Sequence, residues 1–356
     1  MFHLTLTGTH RQGGNHEGVA LKEPYERLIW SAALPKALIP KNNAHIPQME
    51  KALRATFPDA IFYLEGVASG VFTSPPKLYE LFTPELLMNY RTAPPAISLI
   101  IALRRDSYHN KTPILGVNLD AQYFLHPFLV FREMRLNNAY AHLEVSLLTS
   151  AGAFLGINER GLAASLGLKP ESDHETGLIP LSVVIRTVLS KCSTVSHAIE
   201  TITKSPRGAS GIVVLADREK IAVIELTPKA FAIRDAREPF IAATQHLLSP
   251  SLMATDLPHD MEHPQKAPFE LLGKRIYDGS ESRLDRAYGE LRRKKRWDAE
   301  GIKKLLDDEE RGLLLKAGFY RTAVTAILSP ERESLFLKER GNDRGFTRYE
   351  IRKGRP

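Results

Sequence analysis

Pro94-Pro95-Ala96-Ile97-Ser98-Leu99-Ile100-Ile101-Ala102-Leu103-Arg104 is where the chain changes character. Two prolines in succession do not sustain a helix, and the short apolar run behind them, closed by a charge, reads as a strand over Ser98–Arg104. Upstream the texture is helical. Ala33–Leu38 ends one amphipathic stretch, Ile46–Phe57 puts Met49, Leu53 and Phe57 on one face, and Ile61–Val71 and Leu78–Tyr90 read likewise. The first residues, Met1-Phe2-His3-Leu4-Thr5-Leu6-Thr7, alternate as a strand does and are too short and polar for a signal peptide.

Downstream, Ile114–Leu119, Phe128–Met134, Tyr140–Leu148, Ala153–Ile157 and Leu162–Leu166 are short, apolar and separated by turn residues, so a sheet is expected. Helices Leu181–Cys192 and Val195–Thr203 interrupt it, the second with Thr194 as N-cap. Strands Ile212–Ala216, Ile221–Leu226, Ala230–Arg234 and Phe240–Thr244 follow, then helices Ser282–Arg296 and Ala299–Leu306. Thr322–Leu328, Ser334–Lys338 and Phe346–Ile351 close the chain as strands. This order suits an α+β sandwich of two stacked antiparallel sheets with helices on their outer faces. Residues 1–95 are expected to form a helical N-terminal segment packed on a core of residues 96–356.

At 356 residues and 43% apolar, the chain can bury a full core. The formal charge of +7 raises the question of nucleic acid. Its basic clusters, Arg292-Arg293-Lys294-Lys295-Arg296 and the tail from Lys338 to Arg355, lack interleaved aromatics or a helix-turn-helix pattern. A solvated basic face is the expectation, with no specific nucleic-acid partner. No apolar stretch approaches the roughly 18 residues that span a bilayer, so no membrane partner and a cytoplasmic location are expected. The single cysteine, Cys192, excludes an internal disulfide and any metal site built on several thiolates, and at the end of an apolar helix it reads as packed and inert. His259-Asp260-Met261-Glu262-His263 spells the H-x-x-E-H order of certain zinc peptidases, yet Pro264 stops a helix after one turn, so a loop is expected and no metal or other cofactor.

Several motifs occur in a set order. Gly8-Thr9 with Gly14 and Gly18 follows the first strand, and Glu65-Gly66-Val67-Ala68-Ser69-Gly70 lies in the helical part. Leu115-Gly116-Val117-Asn118-Leu119-Asp120, then Gly156-Ile157-Asn158-Glu159-Arg160-Gly161, Leu215-Ala216-Asp217, Ile224-Glu225-Leu226 and Thr244-Gln245-His246 follow. Together they resemble the isopenicillin N acyltransferase family, also called acyl-CoA:6-aminopenicillanic acid acyltransferase, within the N-terminal-nucleophile (Ntn) hydrolases that include choloylglycine hydrolase. The resemblance implies a four-layer αββα sandwich acting on a small linear amide or acyl donor. In such proteins a cysteine cuts the peptide bond before it, and its freed α-amino group then serves as base for its own thiol.

Carried onto this chain, the resemblance puts Ala96 in the nucleophile's place, and a methyl group cannot attack a carbonyl. Pro95 stands where glycine is usual, and Val117 where arginine or glutamine is frequent. By the register of Asp217, the asparagine that usually helps cradle the oxyanion falls near Ile212, with Ser210 the nearest polar neighbour. Asp120, which would hold the nucleophile's amine, and Asn118 keep the family pattern. Ala96 fits an engineered trap or a lineage that altered its catalysis, and departures at several positions favour the second. Ser98 shares a strand face with Ala96 and reads as a pocket-lining group or a substitute nucleophile, while Gln245 and His246 are candidates for substrate contact. Three readings stand: an amide hydrolase or acyltransferase, a catalytically inactive member that keeps a ligand pocket, or, with the least support, a basic interaction protein using residues 283–296 and the tail.

Overall fold

The computed structural model describes residues 1–30, 45–86, 96–109, 111–170, 179–234, 238–265, 267, 269–277, 279–341 and 345–351. The helical expectations at Ala33–Leu38 and up to Tyr90, and the Pro94-Pro95 pair, lie outside the described residues.

The chain opens with β1 (Phe2–Gly8), then α1 (His10–Ala20), α2 (Lys22–Trp30), α3 (Ile46–Thr56), α4 (Pro58–Val71) and the short α5 (Pro75–Tyr79) and α6 (Thr83–Leu86). Next come β2 (Ala96–Leu103), β3 (Ile114–Gln122), β4 (Leu129–Leu136), β5 (His142–Leu147), β6 (Leu155–Asn158) and β7 (Ala163–Leu168). Helices α7 (Leu181–Lys191) and α8 (Val195–Lys204) precede β8 (Gly211–Ala216), β9 (Ile221–Leu226), β10 (Phe231–Arg234) and β11 (Phe240–Ala243). The rest is α9 (Pro250–Met253), α10 (Ser280–Arg292), α11 (Ala299–Leu306), β12 (Tyr320–Ser329), β13 (Ser334–Glu339) and β14 (Thr347–Glu350). Among the described residues, no helix is long and apolar enough to cross a membrane.

Among the described residues, the strands form an eight-stranded sheet, β1-β4-β5-β6-β7-β8-β9-β10, and a six-stranded one, β11-β2-β3-β12-β13-β14. The sheets meet face to face through β2, β3, β12 and β13 on one side and β6, β7 and β8 on the other. Helices α7 and α8 cover the outer face of the first sheet, and α10 and α11 that of the second. The architecture is a four-layer αββα sandwich.

Strand β2 shows why its sequence reads as an unbroken apolar run: all of its residues are buried, because both faces are covered. Ala96, Ile100 and Ala102 enter the core between the sheets. Leu99, Ile101 and Leu103 enter a second core with Leu284, Leu291, Ile302 and Leu306 of α10 and α11.

The N-terminal segment is not helical throughout, since β1 pairs in parallel with β4 and extends the first sheet by an edge strand. A parallel join needs a long crossover, and the helices α1 to α6 lie within it. Of the glycines singled out above, Gly14, Gly18, Gly66 and Gly70 lie between α1 and α4, where the two backbones touch. A Cβ on Gly14 would stand 1.9 Å from the Tyr63 carbonyl oxygen, and one on Gly66 would stand 2.2 Å from that of Arg11. Only glycine permits that approach.

A buried ionic network ties this segment to the core. Glu17 of α1 receives Arg132 Nε at 2.6 Å and Nη2 at 2.7 Å, and the Tyr25 and Tyr63 hydroxyls also donate to it. Arg132 reaches Glu144 at 3.2 Å, and Arg186 of α7 donates to Glu144 at 2.6 Å. Burial alone would raise both carboxyls, but the guanidinium groups outweigh it and hold Glu17 and Glu144 below the usual range.

A second tie has a different sign. Glu85 of α6 is buried and accepts the Ser182 backbone N–H at 2.8 Å and the Ser182 hydroxyl at 2.7 Å, capping the first turn of α7. Burial, only partly offset by Ser182, pushes its carboxyl up from 4.5 to about 7. The folded chain therefore holds that proton more tightly than the unfolded one. This contribution is complete below pH 4.5 and is lost as pH rises through about 7. The separation between 4.5 and about 7 corresponds to on the order of 3 kcal/mol. Urea unfolding from pH 5 to 8 is expected to show a decline in stability that Glu85→Gln flattens; an equal decline in the variant would contradict this role.

Candidate active site

In the ladder between β2 and β3, Ala96 lies opposite Ala121 and Ile97 opposite Asp120. Opposed residues of an antiparallel pair share a face, and successive residues alternate. Ala96 and Ser98 therefore face the other sheet, whereas Asp120 and Asn118 face α10 and α11. Residue 96 and Asp120 sit on adjacent strands, with their side chains on opposite sides of the sheet.

Asp120 is fully buried and forms an ion pair with Arg283 of α10, while Thr322 of β12 donates its hydroxyl at 2.6 Å. Arg283 also donates to the Leu313 carbonyl at 2.6 Å, which fixes its fork between the sheet and the loop after α11. The Asp120 carboxylate is thus occupied by a guanidinium. Asn118 is equally committed: its amide donates to the Leu306 and Leu313 carbonyls at 2.8 and 2.9 Å and accepts the Thr325 hydroxyl at 2.7 Å. It anchors the end of α11.

A cavity of about 190 Å³ opens at this end of the sandwich, lined among others by Ile97, Ser98, Thr244, Gln245, Ser280 and Arg283. Neither Ala96 nor Asp120 lines it. Ser98 Oγ donates to the Leu166 carbonyl of β7 at 3.3 Å, across the gap between the sheets. Ile212 is buried in β8 and paired with Gly167, and a Cβ on Gly167 would stand 3.6 Å from that of Ser98. Ser210 is buried just before β8, its carbonyl accepting the Lys169 N–H at 3.2 Å. Gln245 lines the cavity, and His246 is buried beside it with Nδ1 3.0 Å from Ser280 Oγ and 3.2 Å from Thr244 Oγ1.

The remaining motif residues hold turns and caps. Asn158 donates to the Leu189 and Cys192 carbonyls at 2.9 and 2.8 Å, closing the end of α7. Asp217 accepts Val195 N–H at the start of α8 and two N–H groups of its own turn. Cys192 is buried away from the cavity, 3.3 Å from Thr201 Oγ1, and burial pushes its thiol up. His259 to His263 lies in a loop where Glu262 bridges to Arg275, and no group of three or more potential ligands assembles among the described residues. Sequence reasoning missed Ser280 and Arg283. Both arrive from a helix that begins 160 residues downstream of Asp120, and their only trace is an ordinary Ser-x-x-Arg spacing on one helix face.

Two face-to-face sheets, antiparallel but for the β1–β4 pair, between helical layers, with a strand opening beside a cavity, define the class of Ntn hydrolases. The chain belongs to the family described as acyl-coenzyme A:6-aminopenicillanic acid acyl-transferase, whose model matches residues 109–333. The match begins beyond Ala96 and Ser98. Among solved structures, the chain is similar to a Caenorhabditis elegans ortholog of N-acylethanolamine-hydrolyzing acid amidase, at 14% identity and TM-score 0.47 over 65% of this chain and 92% of that one. It is also similar to a mutant conjugated bile acid hydrolase from Clostridium perfringens, at 14% identity and TM-score 0.48 over 71% and 92%. Penicillin V acylase from Agrobacterium tumefaciens is similar at 15% identity and TM-score 0.45 over 68% and 83%. Comparison with curated proteins gives no match.

Proposed function

We propose that this chain uses the cavity to bind a small linear amide or acyl compound carrying a carboxylate, and that the N-terminal-nucleophile route ends at Ala96. Membership of a family of Ntn-type amide hydrolases and acyltransferases supports the substrate class. The observation that carries the second half is the Asp120–Arg283 pair: a carboxylate already neutralised by a buried guanidinium is not free to hold an amine. The charge of the ligand follows from the lining, which includes Lys274 and Arg275 at the exposed mouth and no carboxylate among the described residues. Calorimetric titration with an N-acyl amino acid tests the reading. Saturable binding is expected, lost when Ala317 at the mouth is replaced by Trp and weakened about tenfold when Lys274 and Arg275 are both replaced by Ala. Binding that is absent at millimolar ligand, or indifferent to Ala317→Trp, would contradict it.

A further inference from the structure

We propose that Ser280, with His246 as its base, is a nucleophile of this cavity and replaces the thiol that residue 96 does not supply. The inference rests on the reading of the cavity as an acyl-compound site. Among the described residues, three hydroxyl side chains of Ser or Thr line it: Ser98, Thr244 and Ser280. Ser98 donates to a carbonyl and has no titratable partner. Ser280 Oγ stands 3.0 Å from His246 Nδ1, within the range for proton transfer between a nucleophile and its base. It also accepts the Gln245 backbone N–H at 3.2 Å, which leaves its own proton to point at the imidazole. Thr244 Oγ1 lies 3.2 Å from the same nitrogen, a longer contact from a β-branched residue whose rotation is restricted.

The imidazole is placed to act as a neutral base. It is packed against the Tyr277 and His259 rings, with centroids 6.1 and 6.4 Å away. Burial lowers its pKa; Glu281 and Asp256 oppose that shift, and His259 and Arg234 add to it. Asp256 is paired with Lys169 at 2.9 Å, so that carboxylate is partly neutralised, and Glu281 is in contact with the His259 ring.

The chemistry balances without a cofactor. Ser280 Oγ attacks the acyl carbon as its proton passes to His246 Nδ1. The carbon–nitrogen bond breaks, and the leaving nitrogen takes that proton. Water then attacks the seryl ester, giving its proton through His246 back to Oγ and releasing the carboxylic acid. The net reaction is amide plus water to acid plus amine.

The test is covalent labelling of the full-length chain with a fluorophosphonate, read by intact mass and peptide mapping. One adduct on the Ser280 peptide is expected. It should be abolished by Ser280→Ala, slowed at least tenfold by His246→Gln, and retained in Ser98→Ala and Thr244→Val. Its rate should rise with pH to a plateau as His246 loses its proton, at a lower pH than an ordinary imidazole would. No adduct on the native chain, or one that survives Ser280→Ala, overturns the proposal. Titrating the Ser280→Ala chain with the N-acyl amino acid separates the two readings and shows that the variant is folded. Binding without native labelling sinks only the nucleophile; absence of binding in native and variant chains alike sinks the cavity reading itself.

Discussion

Asp120→Ala is expected to lower the stability of the folded chain by about 3–5 kcal/mol, the range for breaking a buried pair by removing one partner. Arg283 is 5% exposed, and the loss of Asp120 leaves its guanidinium with the Leu313 carbonyl as its remaining partner. The Thr322 hydroxyl, which donates to the same carboxylate, loses its acceptor as well. Urea unfolding measures the loss directly. The double variant Asp120→Ala with Arg283→Met should recover a large part of it, because the stranded charge is removed along with its partner. A change within about 0.5 kcal/mol in the single variant, as for a surface site, would mean that the ion pair does not hold α10 to the sheet.

Arg132→Met is expected to destabilise by a similar amount, about 3–5 kcal/mol. Arg132 is 1% exposed and bridges Glu17 and Glu144, both at 0%. Glu144 keeps Arg186, but Glu17 is left with the Tyr25 and Tyr63 hydroxyls and no cation in contact. In the native chain the Glu17 carboxyl lies below its ordinary value, so its contribution is present above the unfolded pKa and is lost as pH falls. The variant should reverse that sign. With the Arg132 charge gone, desolvation is opposed only by the tyrosine hydroxyls and the charge of Arg186, so the Glu17 carboxyl rises, and stability should improve on acidification through the carboxylate range. Unfolding curves at pH 4 and pH 8 in a Glu85→Gln background, where the opposing titration of Glu85 is absent, distinguish the two, and an Arg132→Met chain whose stability falls on acidification as its Arg132 parent's does would contradict the network.

Much of the layered fold was legible because each strand needed only a short apolar run and a turn, and those are local signals. Helix α8 even announced its Thr194 cap, whose side chain accepts from the His197 N–H at 3.2 Å. Two features were not local. The parallel pairing of β1 with β4 joins Phe2 to Val130, and nothing in an alternating heptapeptide names its partner. The site was legible in part. The motif around Asn118 and Asp120 is visible as a string of letters, but which sheet face each letter takes depends on strand pairing, and that pairing turns both toward α10 and α11 and away from Ala96. Likewise Ser280 and His246 come together because the end of β11 and the start of α10 meet in space across 34 residues, a proximity without a sequence signature.

The central claim is that this chain keeps an Ntn scaffold while its self-processing chemistry is closed at residue 96. The intact mass of the purified full-length protein, taken beside that of Ala96→Cys, tests it most directly. A single species at 39.8 kDa is predicted for the native chain, and a single uncut species for the variant, because Arg283 still occupies the carboxylate of Asp120. Two fragments divided just before residue 96, in either protein, would contradict the account.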